Sequence, residues 1–347
     1  MEAYINGQSA ISPQNTFAED TLLANPAGYS GVRSLRCIEP QYSAYIDPMV
    51  SRRMSRIIKM GVCSALKCLH DAGISTPDAI ITGTGMGCVE DTGKFLGSIF
   101  ENEEKLLNPT PFIQSTHNTV GASIALLLKC HNYNNTYGHR GFSFESALID
   151  ALMLLQEGQA GNILVGAIDE LTPDLFTITD RLGFWKKEPV DNLCLKDCRS
   201  SGSIAGEGSA FFALSSRKTE KSIARIGHLI TLFKPESMEE IEKKLERIVK
   251  PDLIILGVNG DRSGDVVYHN LRKGIFRNIP SAYYKHLCGE YDTSSAFALA
   301  MATGIIREQH VPDIMKLDSA PIGEIHNILI YNYLRNTNHS AILVTSC

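Results

Sequence analysis

A stretch that could carry chemistry runs from Asn134 to Gly158, NNTYGHRGFSFESALIDALMLLQEG. It reads as a short polar strand, a sharp turn marked by Gly138 and Gly141, and an apolar helix closed by a glycine. The turn holds Gly141, Phe142 and Ser143 and no cysteine. Ser143, with His139 and Glu145 close by in sequence, could be an acyl acceptor activated by a histidine. The plainer reading makes Ser143 a cap for the helix that follows, with Glu145 or Ser146 in its first turn. No G-x-S-x-G elbow is present to expose a serine, so the cap is preferred.

Other reactive types are scattered. Nine cysteines occur singly, as expected for reduced thiols in a cytoplasmic protein. Cys194 and Cys198 are four apart, but no second pair or nearby histidine completes a metal site, and no cofactor is expected. The glycines of GTGMG and GEG lack both the P-loop pattern and G-x-G-x-x-G spacing, which sets nucleotide binding aside. His117 in STHNTVG and His139 could line a pocket or a subunit seam, although a histidine hydrogen-bonded into structure is the commoner case.

These residues need elements to hold them. The segment RRMSRIIKMGVCSALKCLHDAGI places apolar residues at helical spacing and ends at Gly73. DAIITGTGMG reads as a buried strand running into a glycine-rich turn, STHNTVGASIALLLKCH as a helix, and GNILVGAIDEL and GEGSAFFALSS as strands. A second series follows: SIARIGHLITLF, the charged amphipathic helix ESMEEIEKKLERIVK, the apolar strand PDLIILGVNGD, the small-residue helix SSAFALAMATGII and a closing hairpin, HNILIYNYLRNTNHSAILVTSC. Alternation of helices with short apolar strands predicts an α/β fold with mixed, mainly parallel sheets sandwiched by helices. The two series predict two similar halves, residues 1–220 and 221–347, packed as one compact unit. With 44% hydrophobic and 20% charged residues and a net charge of −5, the chain reads as an ordinary globular protein. It has no basic block for nucleic acid, no run long enough to span a bilayer and no visible secretory signal.

Taken in order, the motifs resemble the β-ketoacyl synthases of the thiolase superfamily. The resemblance rests on the first long helix followed by ITGTGMG, on GNILVGAIDEL, on AGEGSAFFAL preceded by PVDN and DCRSSGSI, on ILGVNGDRSGD, and on YYKHLCGEYDTSSAFALAMA. It implies a duplicated thiolase-like fold, a dimer pairing through the strand that leads to the elbow, and an acyl carrier protein as partner. It also implies a cysteine nucleophile and two histidines, and here the chain departs from the family. Counting back from Gly158 puts the cysteine's place near Gly141. The first histidine's place falls within Gly257 to Gly260, where Asn259 supplies the one polar side chain, and the second aligns with Glu290. The family's lysine is kept as Lys285, which would form a buried ion pair with Glu290. Cys288 would face the vestigial pocket, with His117 and Phe142 as further substrate-lining candidates.

A sequence with that frame and without the Cys-His-His set resembles a chain-length factor. Such a subunit pairs with an active ketosynthase in polyketide, aryl-polyene-like or fatty-acid-like synthesis. Two other readings stay open at this point. One is an acyltransferase or ketosynthase-like enzyme with a relocated nucleophile, Ser143 or Cys288. The other is a homodimeric protein that binds acyl chains or acyl carrier protein.

Overall fold

A computed structural model describes residues 3–18, 21–335 and 337–347. The first series of elements comprises β1 (Ala3–Ile11), α1 (Pro48–Ser51), α2 (Arg56–Ala72), β2 (Ala79–Gly83), α3 (Val89–Glu101), α4 (Pro109–Gln114), α5 (Thr119–Leu128), β3 (Tyr133–Tyr137), α6 (Ser143–Gln156), β4 (Asn162–Asp169), α7 (Pro173–Arg181) and β5 (Gly208–Ser215). The second comprises β6 (Ala224–Phe233), α8 (Met238–Leu245), β7 (Leu253–Leu256), α9 (Val266–Lys273), β8 (Ser281–Tyr283), α10 (Lys285–Cys288), α11 (Ser294–Glu308), β9 (Asn327–Leu334) and β10 (Asn338–Thr345).

The ten strands form one sheet in the order β3-β2-β4-β5-β1-β6-β10-β9-β7-β8. Read from either edge inward, the pattern is the same. An outer strand pairs in parallel with its neighbour, that neighbour in parallel with the next, and two antiparallel ladders follow. The halves meet where β1 runs antiparallel to β6. The mixed α/β architecture is the expected one. Four of the nine ladders are parallel and five antiparallel, a more even balance than mainly parallel sheets. β10 returns from β9 through a tight hairpin, β5 re-enters after a long connection that carries α7, and both lie antiparallel to both neighbours, whereas parallel pairs need a helical crossover.

Local sequence explains the main elements. In α2, Ile57, Ile58, Val62, Ala65 and Leu69 recur on one face, and that face is buried against β1 and β5. The helix stops at Gly73, whose φ of 72° is a left-handed conformation that costs a glycine little. Strands β4 and β5 are buried along nearly their whole length, consistent with continuous apolar runs covered on both faces. Helices α6 and α11 share one hydrophobic core with Ile81, Val165 and Phe212 of the first series and Ile255, Ile330 and Ile342 of the second. Every residue of α11 from Ser294 to Ile306 is buried. Its alanines at 296, 298, 300 and 302 let the backbone approach the strands, and a larger side chain there would overpack the layer by roughly 1–3 kcal/mol. Outer cores form under α2 and α5 on one side and under α8 and α9 on the other. Among the described residues no helix is long and apolar enough to cross a membrane.

Candidate functional site

The central helices bring the first set of candidate residues together. After β3 the chain turns through His139 and Arg140, the latter in a left-handed conformation (φ 54°), before α6 begins. Gly141 is buried at the apex. A β-carbon there would run into Leu334 Cδ2 and come within 3.3 Å of Asn338 Cβ, so any side chain at this position requires Leu334 of the β9–β10 hairpin to move aside. Ser143 is fully buried and donates to the carbonyl oxygen of Thr84 at 2.8 Å. It therefore does not cap α6, as the sequence suggested: Phe142 precedes the helix and no side chain caps it. The reason is tertiary, because the end of β2 offers Ser143 an acceptor closer than its own helix. Exposed His139 places Nδ1 3.0 Å from Ser146, not from Ser143. Glu145 is buried and accepts from Ser340 at 2.7 Å, and burial raises its carboxyl pKa.

The second series supplies the other set. At the end of β7, Gly257 also lacks room for a side chain: a β-carbon would lie 2.6 Å from Tyr268 Oη and 2.7 Å from Asn332 Oδ1. Asn259 donates through Nδ2 to Glu290 Oε2 at 2.7 Å. Lys285 Nζ lies 2.8 and 2.7 Å from the two oxygens of Glu290, and both residues are almost wholly buried. The expected ion pair is therefore present and is tied to Asn259. Glu290 is held in register by its own backbone, which bonds Ile204 and Gly206 on either side of Ala205. That loop is anchored by buried Glu207. Burial works to raise the Glu207 carboxyl, but the Arg56 guanidinium at 2.7 and 2.6 Å, with the N–H groups of Leu171 and Cys37, outweighs it and holds it low.

Two cavities adjoin this network. A cleft of about 300 Å³ is walled by Phe184, Trp185, Ser203, Asn259, Glu290 and Arg335, among others. A smaller chamber of about 50 Å³, next to the elbow, shares Trp185, Glu290 and Arg335 with it and adds Arg140, Asp169 and Asp292. Asp169 accepts from Thr84 Oγ1, Gly85 N, Thr293 N and Thr293 Oγ1 at 2.8–3.1 Å. Burial, and then neighbouring Asp292, push its carboxyl up to about 6. Asp292 is bracketed by Arg140 at 3.8 Å and Arg335 at 3.6 Å. The sequence reading missed Arg140, Asp169, Asp292 and Arg335, which come from the end of β4 and three separate loops.

Three further candidates lie apart from this network. His117 is exposed and packs against Gly87 and Gly138, beside Thr82 and Val120. Phe142 is half-buried at the elbow. Cys288 is fully buried, bonds the Gly289 carbonyl at 3.2 Å, and burial drives its thiol pKa well upward. His117, Phe142 and Cys288 do not line the cleft or the chamber. Among the described residues no three His, Cys, Asp or Glu side chains stand together so as to hold a metal ion.

The ten-stranded mixed sheet and the two central helices define a thiolase-like fold, and comparison with known structures agrees. Residues 36–186 match the model of the β-ketoacyl synthase N-terminal domain. Over its whole length the chain superposes on the ishigamide ketosynthase/chain length factor, with a TM-score of 0.79 and 13% identity, covering 100% of this chain and 99% of that one. A type II polyketide synthase acyl-carrier protein in complex with its ketosynthase bound to the hexaketide (AntDE:AntF) gives 0.79 at 15% identity with the same coverage. The ketosynthase ApeO in complex with its chain length factor ApeC from Xenorhabdus doucetiae gives 0.75 at 15%, covering 99% and 98%. No curated protein matches in sequence. The chain thus has the fold of the ketosynthase and chain length factor structures it superposes on, and its residues 36–186 match the model of the β-ketoacyl synthase N-terminal domain.

Proposed function

We propose that this protein is a chain-length-factor-like subunit: a ketosynthase-fold partner without condensing activity of its own. It would pair with an active ketosynthase in the cytoplasm and work on chains delivered by an acyl carrier protein. The setting is type II polyketide, aryl-polyene-like or fatty-acid-like synthesis. The observation that carries the reading is the elbow. Covalent condensation needs a nucleophile at the helix start and donors for the thioester oxygen. Gly141 has no side chain, and the Leu334 side chain packs over it. Gly257 is likewise blocked, and Glu290 is saturated by Lys285 and Asn259. The buried states of Ser143 and Cys288 count against a relocated nucleophile at either residue.

The likeness to ketosynthase/chain length factor assemblies supports a ketosynthase partner and an acyl carrier protein. So does the surface around β3. This strand ends the sheet, and its sequence, Tyr-Asn-Asn-Thr-Tyr, has neither the charge nor the proline that usually guards an open edge. On α5, which packs against β3, Leu126 is 79% exposed, and it lines one shallow surface depression with exposed Met49 and Ile113. Contiguous exposed apolar surface of this kind marks an interface. The mirrored strand order supports two halves divided at residues 1–220 and 221–347.

The test is native mass of the purified chain alone and after co-expression with an active ketosynthase. A 1:1 heterodimer that a charged substitution in β3, such as Asn135→Lys, dissociates is the expected result. A homodimer that ignores the ketosynthase would favour the free-standing acyl-binding reading instead.

A further inference from the structure

The open cleft has a hydrogen-bonding inventory of its own. Its carboxylates and its amide are already spent within the protein. Glu290 takes Lys285 and Asn259, and the Asn259 side-chain oxygen takes the backbone N–H of Asp261. Asp261 takes the N–H groups of Gly202 and Gly264 and the hydroxyl of Ser263 at 2.9–3.2 Å. The Trp185 indole donates to Thr179, and Tyr268 bonds the backbone of Tyr333. Beneath the wall, buried Lys186 is spent on the carbonyls of Ser200, Gly202 and Gly260, which ties the two sides of the cleft together.

The groups left over are of one kind. Arg335 is 35% exposed, stands 4.2 Å above the Phe184 ring and faces Asp292 at 3.6 Å, beyond hydrogen-bond reach. Its guanidinium donors therefore have no hydrogen-bonded acceptor among the described residues. Ser203 is 97% buried, lines the same cleft and has no protein partner for its hydroxyl. The cleft thus offers a planar cationic donor, a buried hydroxyl and an aromatic wall of Phe184, Trp185 and Tyr333, with its own acceptors internally paired.

We infer that this cleft binds a small oxyanion-bearing molecule with a flat or apolar body, its carboxylate or phosphate held by Arg335 and Ser203 and its body lying on the aromatic wall. A planar guanidinium suits such a head group because it can present two parallel N–H donors. A volume of about 300 Å³ is at the small end of ligand sites, so the molecule is free and compact rather than a long chain. This inference stands apart from the proposed pairing with a ketosynthase, since it concerns a different surface and a different readout.

The experiment is isothermal titration of the full-length protein with 3-phenylpropionate, phenyl phosphate and the neutral 3-phenylpropionamide. Saturable binding of an anion on the order of 1 mM or tighter is expected, with at least tenfold weaker binding of the amide. The stronger of the two anions assigns the head group. Arg335→Gln should weaken anion binding at least tenfold and Ser203→Ala severalfold. Far-UV circular dichroism and melting of each variant confirm folding. Failure of both anions to bind, equal binding of the amide, or full binding by folded Arg335→Gln overturns the inference.

Discussion

Breaking the Lys285–Glu290 pair should cost much more from either side alone than from both together. Both partners are largely withdrawn from water: Lys285 is completely buried and Glu290 is 5% exposed, at the wall of the cleft. The Lys285 ammonium hydrogen-bonds only Glu290 among the described residues, and its other polar contact is the Tyr284 ring at 5.9 Å. Lys285→Met leaves Glu290 with the single bond from Asn259. Glu290→Leu strands an ammonium in the core. An unpaired buried charge of this kind costs about 3–5 kcal/mol. In Lys285→Met/Glu290→Leu no buried charge remains, and apolar side chains of similar size replace the pair. The double variant should therefore sit within about 2 kcal/mol of the wild type, giving a coupling of at least 3 kcal/mol in the double-mutant cycle. Urea unfolding followed by circular dichroism, with slopes shown to be unchanged, measures all four proteins. A single variant within 1 kcal/mol of wild type, or a double variant as unstable as the sum of the singles, would refute the reasoning.

Gly141→Cys should lose roughly 1–3 kcal/mol by driving its β-carbon into Leu334. Adding Leu334→Ala should recover part of that loss, and unchanged stability of Gly141→Cys would show that the elbow has room. Burial pushes the Glu170 carboxyl up to about 7. Because its native pKa lies above the unfolded value, its stabilising contribution is complete below about pH 4.5 and is lost as pH rises through 7. Glu170→Gln keeps an oxygen for the Glu90 N–H and should exceed wild-type stability at pH 8 by up to about 3 kcal/mol, the gap closing near pH 4.5. Denaturation at both pH values checks this, and a pH-independent difference would contradict it. Arg56→Met uncovers Glu207, which keeps Arg36 at 3.3 Å and two backbone donors, so a loss of about 3 kcal/mol in chemical unfolding is expected and a loss below 1 kcal/mol would be inconsistent.

Much of the frame could be read from the sequence because each element carries its own period. The apolar face of α2, the runs in β4 and β5 and the small-residue helix α11 are local signals. Strand direction was not, since a buried apolar run looks alike whichever way it points, and β5 and β10 entered the sheet antiparallel. The Lys285–Glu290 pair was legible because the two residues are five apart on one short turn. Ser143 was misread as a cap because its acceptor, Thr84, lies 59 residues away and across the fold. Arg140, Asp169, Asp292 and Arg335 were missed for the same reason: they converge from a strand end and three loops with no common motif. The closure of Gly141 by Leu334 likewise exists only in three dimensions.

The most direct test of the central claim is intact mass of the pure protein after incubation with acyl- and malonyl-loaded carrier protein, beside an active ketosynthase as control. A chain whose elbow is scaffold should gain no mass while the control acylates. An acyl adduct mapped by digestion to Ser143, Cys288 or any other residue would contradict it.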